Sequence, residues 1–274
     1  MALETQAALK SMLINGVEFV VLEASSWGLS SVSKRLEDVT FHSGVITNFS
    51  HDHLELHGST GQYLDAKLNL FRKLCGDGSF AVSPPELLKE LQAVTEVPIY
   101  LFGLNANKNS STSHSKKVFD PSIKDQVDQL VPACTTTEWD EKISTQWTCR
   151  ASEALNQRNN TQCLDFVLQI DQKLAKATLS MPGLFNLKNC LAATTVVSRY
   201  GHHPIQELLR PIAKLRLPAG HMEEVSVGQP FRVIVDYAHT PEAFRETLSC
   251  LADQAQNMDG ELIVVFGSAG ERDI

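Results

Sequence analysis

Short apolar runs separated by segments of helical periodicity constrain this chain more than any other feature. Glu18-Phe-Val-Val-Leu-Glu23 and Ser43-Gly-Val-Ile-Thr-Asn48 read as strands buried in a parallel sheet. Phe80-Ala-Val82 and Pro98-Ile-Tyr-Leu-Phe102 add two more strands. Between them, residues 4–15 place Leu9, Met12 and Leu13 on one helical face, and Tyr63, Leu64, Leu68, Leu70 and Phe71 predict an amphipathic helix over 60–74. Leu164 to Ile170 and Leu174 to Leu179 alternate as a hairpin would, and Leu187 to Tyr200 is helical. After a hinge-like Leu215-Arg-Leu-Pro-Ala-Gly220, the strand Arg232–Asp236, a helix from Pro241 to about Gln256 and the strand Leu262–Phe266 open a second α/β unit. Asn105 to Lys117 is a solvated loop by composition, and residues 120–160 carry no readable period.

A length of 274 residues, 43% hydrophobic and 20% charged, suits one large domain and part of a second. The formal net charge of −8 leaves no basic excess for a general nucleic-acid binder. Six scattered cysteines without a CxxC pair suit buried free thiols better than a disulfide framework or a zinc site. No apolar run approaches the ~20 residues of a membrane span, and Met1 to Lys10 lacks the regions of a signal peptide. The expectation is a cytoplasmic protein without a membrane partner.

Polar groups gather at predicted strand ends, where open α/β sheets place their sites. Glu23 closes its apolar run and is followed by Ser25, Ser26 and Gly28. From spacing alone it reads equally as an active-site acid or as a carboxylate capping the next helix. Thr47-Asn-Phe-Ser-His-Asp-His-Leu-Glu-Leu-His-Gly58 gathers His51, His53 and His57 with Asp52 and Glu55. His53 and His57 at i, i+4 can hold a metal, although the HExxH order is missing; a polar loop with surface histidines is the alternative. Lys67, on the helix that follows, is by itself an ordinary solvent-facing charge. No GxxxxGK[ST] loop, GxSxG elbow or Rossmann glycine fingerprint occurs in the sequence.

Glu23-Ala-Ser-Ser-Trp-Gly-Leu29, the Thr47–Gly58 block and Tyr63-Leu-Asp-Ala-Lys-Leu-Asn-Leu-Phe71 together resemble the central domain of the Mur ligase family, nearest its MurE branch. Gly183-Leu-Phe-Asn-Leu-Lys-Asn-Cys-Leu-Ala-Ala193, Pro218-Ala-Gly-His-Met-Glu223 and Val235-Asp-Tyr-Ala-His-Thr-Pro-Glu242 follow in the family's order. The DHLxxHG and DYAHTP blocks count against folylpolyglutamate synthase, which shares the core.

The resemblance implies an α/β central ATPase-type sheet domain over 1–217 and the start of a Rossmann-like C-terminal domain over 218–274. It implies an ATP-dependent ligase that phosphorylates a carboxylate of UDP-N-acetylmuramoyl-L-Ala-D-Glu and joins an amino acid of diaminopimelate or lysine type to it. Carried over by position, Glu23 and His53 would hold Mg2+ ions. Lys67 would carry a carbamate that orients the second ion. Ser25 and Arg35 would meet the muramyl peptide; Asn189 would meet the adenine, Asp236 the ribose and His221 the ATP phosphates. Trp27 replaces the family's histidine and His221 its arginine, a weaker clamp when neutral. The resemblance also implies that the family's phosphate-binding loop lies upstream of Met1 and its amino-acid-selecting motif beyond Ile274. The isolated chain is therefore expected to lack ligase activity; the alternative is a non-catalytic remnant that binds a partner, or a split ligase completed by a separate N-terminal chain.

Overall fold

A computed structural model describes residues 2–49, 57–105, 147–152, 156–157, 163–171 and 173–267. The chain forms two compact units, residues 1–100 and 101–274.

The first unit opens with helix α1 (Ala2–Ile14), which buries none of its residues fully. Leu9 packs against a small core of Leu29, Leu36 and Val39. Helix α2 (Ser26–Leu29) is a single turn started by the Ser25 hydroxyl, which accepts from the Gly28 amide at 3.1 Å. Strand β1 (Ser43–Val45) runs parallel to β2 (Phe80–Ser83), with Gly44 opposite Ala81. Parallel neighbours need a crossover, and helix α3 (Thr60–Arg72) lies in it. Its N-cap Ser59 accepts from the Gln62 amide at 3.2 Å. Phe71 of α3 is 1% exposed and lies against Gly44, where an added Cβ would sit 3.1 Å from its ring. A 3-10 turn at Pro85–Leu87 runs into α4 (Leu88–Gln92); the sequence reading contains neither. Strand β3 (Ile99–Asn105) neighbours β2.

In the second unit β3 pairs in parallel with β4 (Trp147–Ser152), a strand inside the stretch that showed no period. Strands β5 (Asn156–Gln157), β6 (Leu164–Ile170) and β7 (Lys173–Leu179) continue antiparallel, and β6–β7 is the expected hairpin, from Leu164 opposite Leu179 to Ile170 opposite Lys173. Helix α5 (Leu184–Gly201) buries Leu187, Cys190 and Leu191. Helix α6 (Ile205–Lys214), another element the periodicity left unread, buries Ile205, Leu208 and Ile212 on one face despite an internal Pro211. Strands β8 (Glu223–Val225) and β9 (Val233–Val235) form an antiparallel pair, and Thr240 caps helix α7 (Pro241–Asn257). The α/β class with parallel strands follows the sequence reading.

Two predicted strands are absent. Residues 18–23 and 262–266 have no regular structure, and their apolar side chains are exposed, up to 100% at Val21 and 93% at Val265. A strand is held by ladder bonds to a neighbour, and no described strand pairs with either run. Of the solvated loop expected over Asn105–Lys117, Asn105 ends β3, and 106–117, like most of 120–160, lies outside the described residues.

Among the described cysteines all are free thiols, but Cys75 is exposed whereas Cys190 and Cys250 are buried. Burial pushes both buried thiols up; hydrogen bonds to Thr194 and Gln254, respectively, offset part of that shift. With Ellman's reagent at pH 8, Cys75 is expected to react at least about 100-fold faster than Cys190 or Cys250, because only the thiolate attacks and access is needed. Equal rates in the folded chain would refute this. The sign for stability follows: the contribution of these thiols is complete below the ordinary thiol range and is lost as pH rises through their raised values.

Candidate functional site

Three of the conspicuous sequence blocks converge in the first unit. The turn after Glu23 buries Ser26, whose hydroxyl lies 3.0 Å from His57 Nε2. The His57 ring meets Trp27 edge-on, with centroids 6.5 Å apart, and Tyr63 in a tilted contact at 5.3 Å. Phe49 packs on Tyr63, also at 5.3 Å, and Lys67 Nζ lies 4.9 Å from the Tyr63 ring centroid. Helical spacing accounts for the last contact, since Tyr63 and Lys67 stand at i, i+4 on α3. Asn69, two residues on, donates to the Leu29 carbonyl at 3.1 Å and ties α3 to α2. Segments distant in sequence thus meet at one patch, with a lysine at its rim.

Of the predicted residues, Lys67 is half-buried in this cluster and Ser25 is exposed beside it. The Ser25 hydroxyl has the Gly28 amide as donor and remains able to donate its own proton. Glu23 is exposed and Arg35 half-buried, and among the described residues no hydrogen bond or ion pair joins either to the cluster. His53 lies outside the described residues. Ser26 and Tyr63 have no site role in the sequence reading, and His57 enters it only as a possible metal ligand beside His53. The spacing of Tyr63 to Lys67 could have pointed to the second contact, but nothing local pairs Ser26 with His57.

A second polar centre lies in the second unit. Asp236 follows β9; its Oδ2 accepts from the Met222 amide at 2.8 Å, and its Oδ1 from the Ala238 amide at 2.9 Å and the Thr247 hydroxyl at 3.3 Å. This carboxylate latches the Pro218–Glu223 segment onto the Val235–Glu242 segment and α7. His221 lies beside the latch, edge-on to Tyr237 at 5.9 Å, and Tyr237 meets His239 at 5.0 Å. Asn189 is exposed on α5, one turn beyond a buried Asn186 whose amide donates to the Pro182 carbonyl at 2.6 Å. Gly183 starts α5 at φ +87°, and an added Cβ there would sit 2.4 Å from the Phe185 ring. Asn186 and Gly183 thus shape the helix start, and Asn189 presents its amide outward. Among the described residues, no hydrogen bond joins Asn189 to the Asp236 latch.

The described residues include no group of three or more His, Cys, Asp or Glu side chains able to hold a metal. Mg2+ commonly binds through one or two carboxylates plus substrate phosphates rather than in an all-protein cage. The exposed Glu23 oxygen donor fits that mode; Lys67 fits it only after its cation becomes an oxygen-bearing anion. Among the described residues no helix is long and apolar enough to cross a membrane.

The sequence matches the family profile of the Mur ligase middle domain over residues 1–197 and that of the Mur ligase glutamate ligase domain over 220–274. It is 34% identical to UDP-N-acetylmuramyl-tripeptide synthetase of Borreliella afzelii, an alignment covering 99% of this chain and 45% of that protein. It is 31% identical to UDP-N-acetylmuramoyl-L-alanyl-D-glutamate--2,6-diaminopimelate ligase of Chlamydia caviae, over 98% of this chain and 46% of the relative. The chain therefore spans about half the length of the curated relatives it matches. A solved structure of a UDP-N-acetylmuramoyl-L-alanyl-D-glutamate--2,6-diaminopimelate ligase shares the fold, with TM-score 0.62 and 24% identity over 99% of this chain and 47% of that one.

Proposed function

The chain belongs to the Mur ligase family, and from that premise we propose that it carries the central part of an ATP-dependent, amide-forming ligase of cytoplasmic peptidoglycan precursor synthesis. The substrates in this reading are UDP-N-acetylmuramoyl-L-Ala-D-Glu and an amino acid of diaminopimelate or lysine type. The observation that carries it is the meeting of the Ser25–Trp27 turn, His57 and the Lys67 face of α3 at one patch.

ATP first transfers its γ-phosphoryl group to the substrate carboxylate and ADP leaves; the amine then attacks the acyl carbon, phosphate leaves, and the amide forms as the nitrogen loses a proton. When bound, Mg2+ screens the phosphate charge. Glu23 would hold one Mg2+ ion and His53 a second, and Lys67, as a carbamate, would offer oxygen in place of a cation. Ser25 donates to the muramyl peptide and Arg35 pairs with its carboxylates. Asn189 meets the adenine, Asp236 the ribose and His221 the phosphates. Asp236 Oδ2 accepts a single hydrogen bond in the latch, so it retains capacity for a ribose hydroxyl. The working division is a middle domain over 1–217 and a C-terminal domain from 218, with the Leu217–Gly220 segment as the hinge.

The test is a hybrid in which these 274 residues replace the matched span of the Borreliella afzelii synthetase. ADP release that requires both the muramyl dipeptide and an amino acid is expected, and Lys67→Ala is expected to lower kcat by about 100-fold or more, the scale of removing one electrostatic stabiliser. A folded hybrid that binds ATP but turns over no amino acid would overturn the reading. The chain alone, which contains no GxxxxGK[ST] loop, is expected to show no turnover and no tight magnesium-dependent ATP binding by calorimetry, because positioning of the triphosphate carries much of phosphoryl transfer. The exposed apolar runs 18–23 and 262–266 favour a second reading, a split ligase completed by a partner chain. Turnover appearing only when a separate chain bearing the phosphate-binding loop is added would select it.

A further inference from the structure

Tyr63 is only 5% exposed, and its ring is held by Phe49 and His57, each with its centroid 5.3 Å away. His57 is in turn anchored by the Ser26 hydroxyl at 3.0 Å. The ring is therefore a fixed surface rather than a mobile one, and Lys67 Nζ rests 4.9 Å from its centroid. We propose that Tyr63 is a positioning residue for Lys67, holding the unmodified ammonium at its ring and releasing the side chain once the nitrogen becomes a carbamate. The proposal rests on the reading of Lys67 as a carbamylated lysine.

The argument is electrostatic. An aromatic face carries negative charge density, so it attracts an ammonium and repels an anion. Carbamylation consumes dissolved carbon dioxide. The ammonium gives one proton to water; the nitrogen lone pair forms the N–C bond while a C=O π pair moves onto oxygen; a second proton then leaves the nitrogen. The net change is R–NH3+ plus CO2 to R–NH–COO− plus two protons, and the charge at the end of the side chain goes from +1 to −1. The contact that holds the lysine before the step thus opposes it afterwards. Tyr63 cannot follow the departing group, because its neighbours pin it, whereas the lysine stem has four rotatable bonds. Tyr63 in this way contributes both to where the lysine waits and to how much carbon dioxide is needed to capture it. The hydroxyl has no part in this, so phenylalanine should serve equally well.

The test uses the purified full chain with 13C-bicarbonate at a concentration that half-modifies Lys67, and reads the carbamate carbon by NMR, assigned by its loss in Lys67→Arg. Tyr63→Leu is expected to raise the ratio of modified to unmodified lysine about two- to five-fold, the scale of one cation–π contact, while Tyr63→Phe stays close to the parent. Ring-current displacement of the Lys67 Hε signals without bicarbonate is read alongside: present in the parent and Tyr63→Phe, lost in Tyr63→Leu. An unchanged or lowered carbamate fraction in a folded Tyr63→Leu overturns the proposal and leaves the carbamate reading intact. So does a missing ring-current displacement in the parent. If that displacement is present but no variant forms carbamate at saturating bicarbonate, the carbamate reading itself has failed and the proposal falls with it.

Discussion

Phe71→Ala is expected to destabilise the first unit by about 3–5 kcal/mol, the usual range for deleting a buried phenyl group. The ring is 1% exposed and seats α3 directly on the β1 backbone at Gly44, where an added Cβ would sit 3.1 Å from the ring, tighter than an ordinary contact. Removing it leaves a cavity between helix and strand that neither can readily fill, since Gly44 has no side chain to move in. The same helix carries Tyr63 and Lys67, so the loss should extend to the candidate site. Because the chain has two compact units, a single unfolding curve is a poor measure. Hydrogen exchange of the α3 amides against denaturant reports the first unit alone. A change below about 1 kcal/mol would mean that α3 is held elsewhere and that the Gly44 contact is incidental.

Asp236→Ala removes the acceptor for the Met222 and Ala238 amides and the Thr247 hydroxyl at once. Hydrogen bonds to a charged group contribute about 1.5–3 kcal/mol each when buried; this group is half-buried, so a total near 2 kcal/mol is the expectation. That corresponds to a roughly 30-fold faster exchange of the Met222 and Ala238 amides if opening is local. Asp236→Asn retains one carbonyl acceptor and should recover part of the protection. In the hybrid ligase, a ribose contact would show separately, as a raised KM for ATP in the asparagine variant. Protection untouched in Asp236→Ala would remove the latch from the account, whatever happens to the KM.

The residues that made the fold legible are those whose signal is local. Tyr63, Leu68 and Phe71 recur on one face of α3, and the alternation over Leu164–Ile170 and the segment after it announces the hairpin. Strand β4 and helix α6 escaped for different reasons. Trp147–Ser152 mixes charge and small polar side chains without a clean period, whereas α6 keeps Ile205, Leu208 and Ile212 at helical spacing but contains Pro211, which reads as a helix breaker although the helix runs through it. The over-read strands at 18–23 and 262–266 fail in the opposite direction. Their composition is that of a buried strand, but composition does not supply the neighbour that a ladder needs.

The same division holds at the site. By itself the sequence determined the residue types available and their order: Glu23 and the serines after an apolar run, the histidine-rich block, Lys67 on a helix, and the Asp236 block after a short strand. Those signals travel along the chain, because side-chain periodicity and capping depend on neighbours a few residues away. Only the tertiary structure decided that His57 meets Ser26, that a pinned Tyr63 ring receives Lys67, and that Asp236 latches Met222 to α7. Most of these contacts join residues more than ten positions apart, and the Tyr63–Lys67 contact gains its rigidity from the residues that pin the ring. Long-range packing and hydrogen bonding, which leave no local period to read, set that geometry.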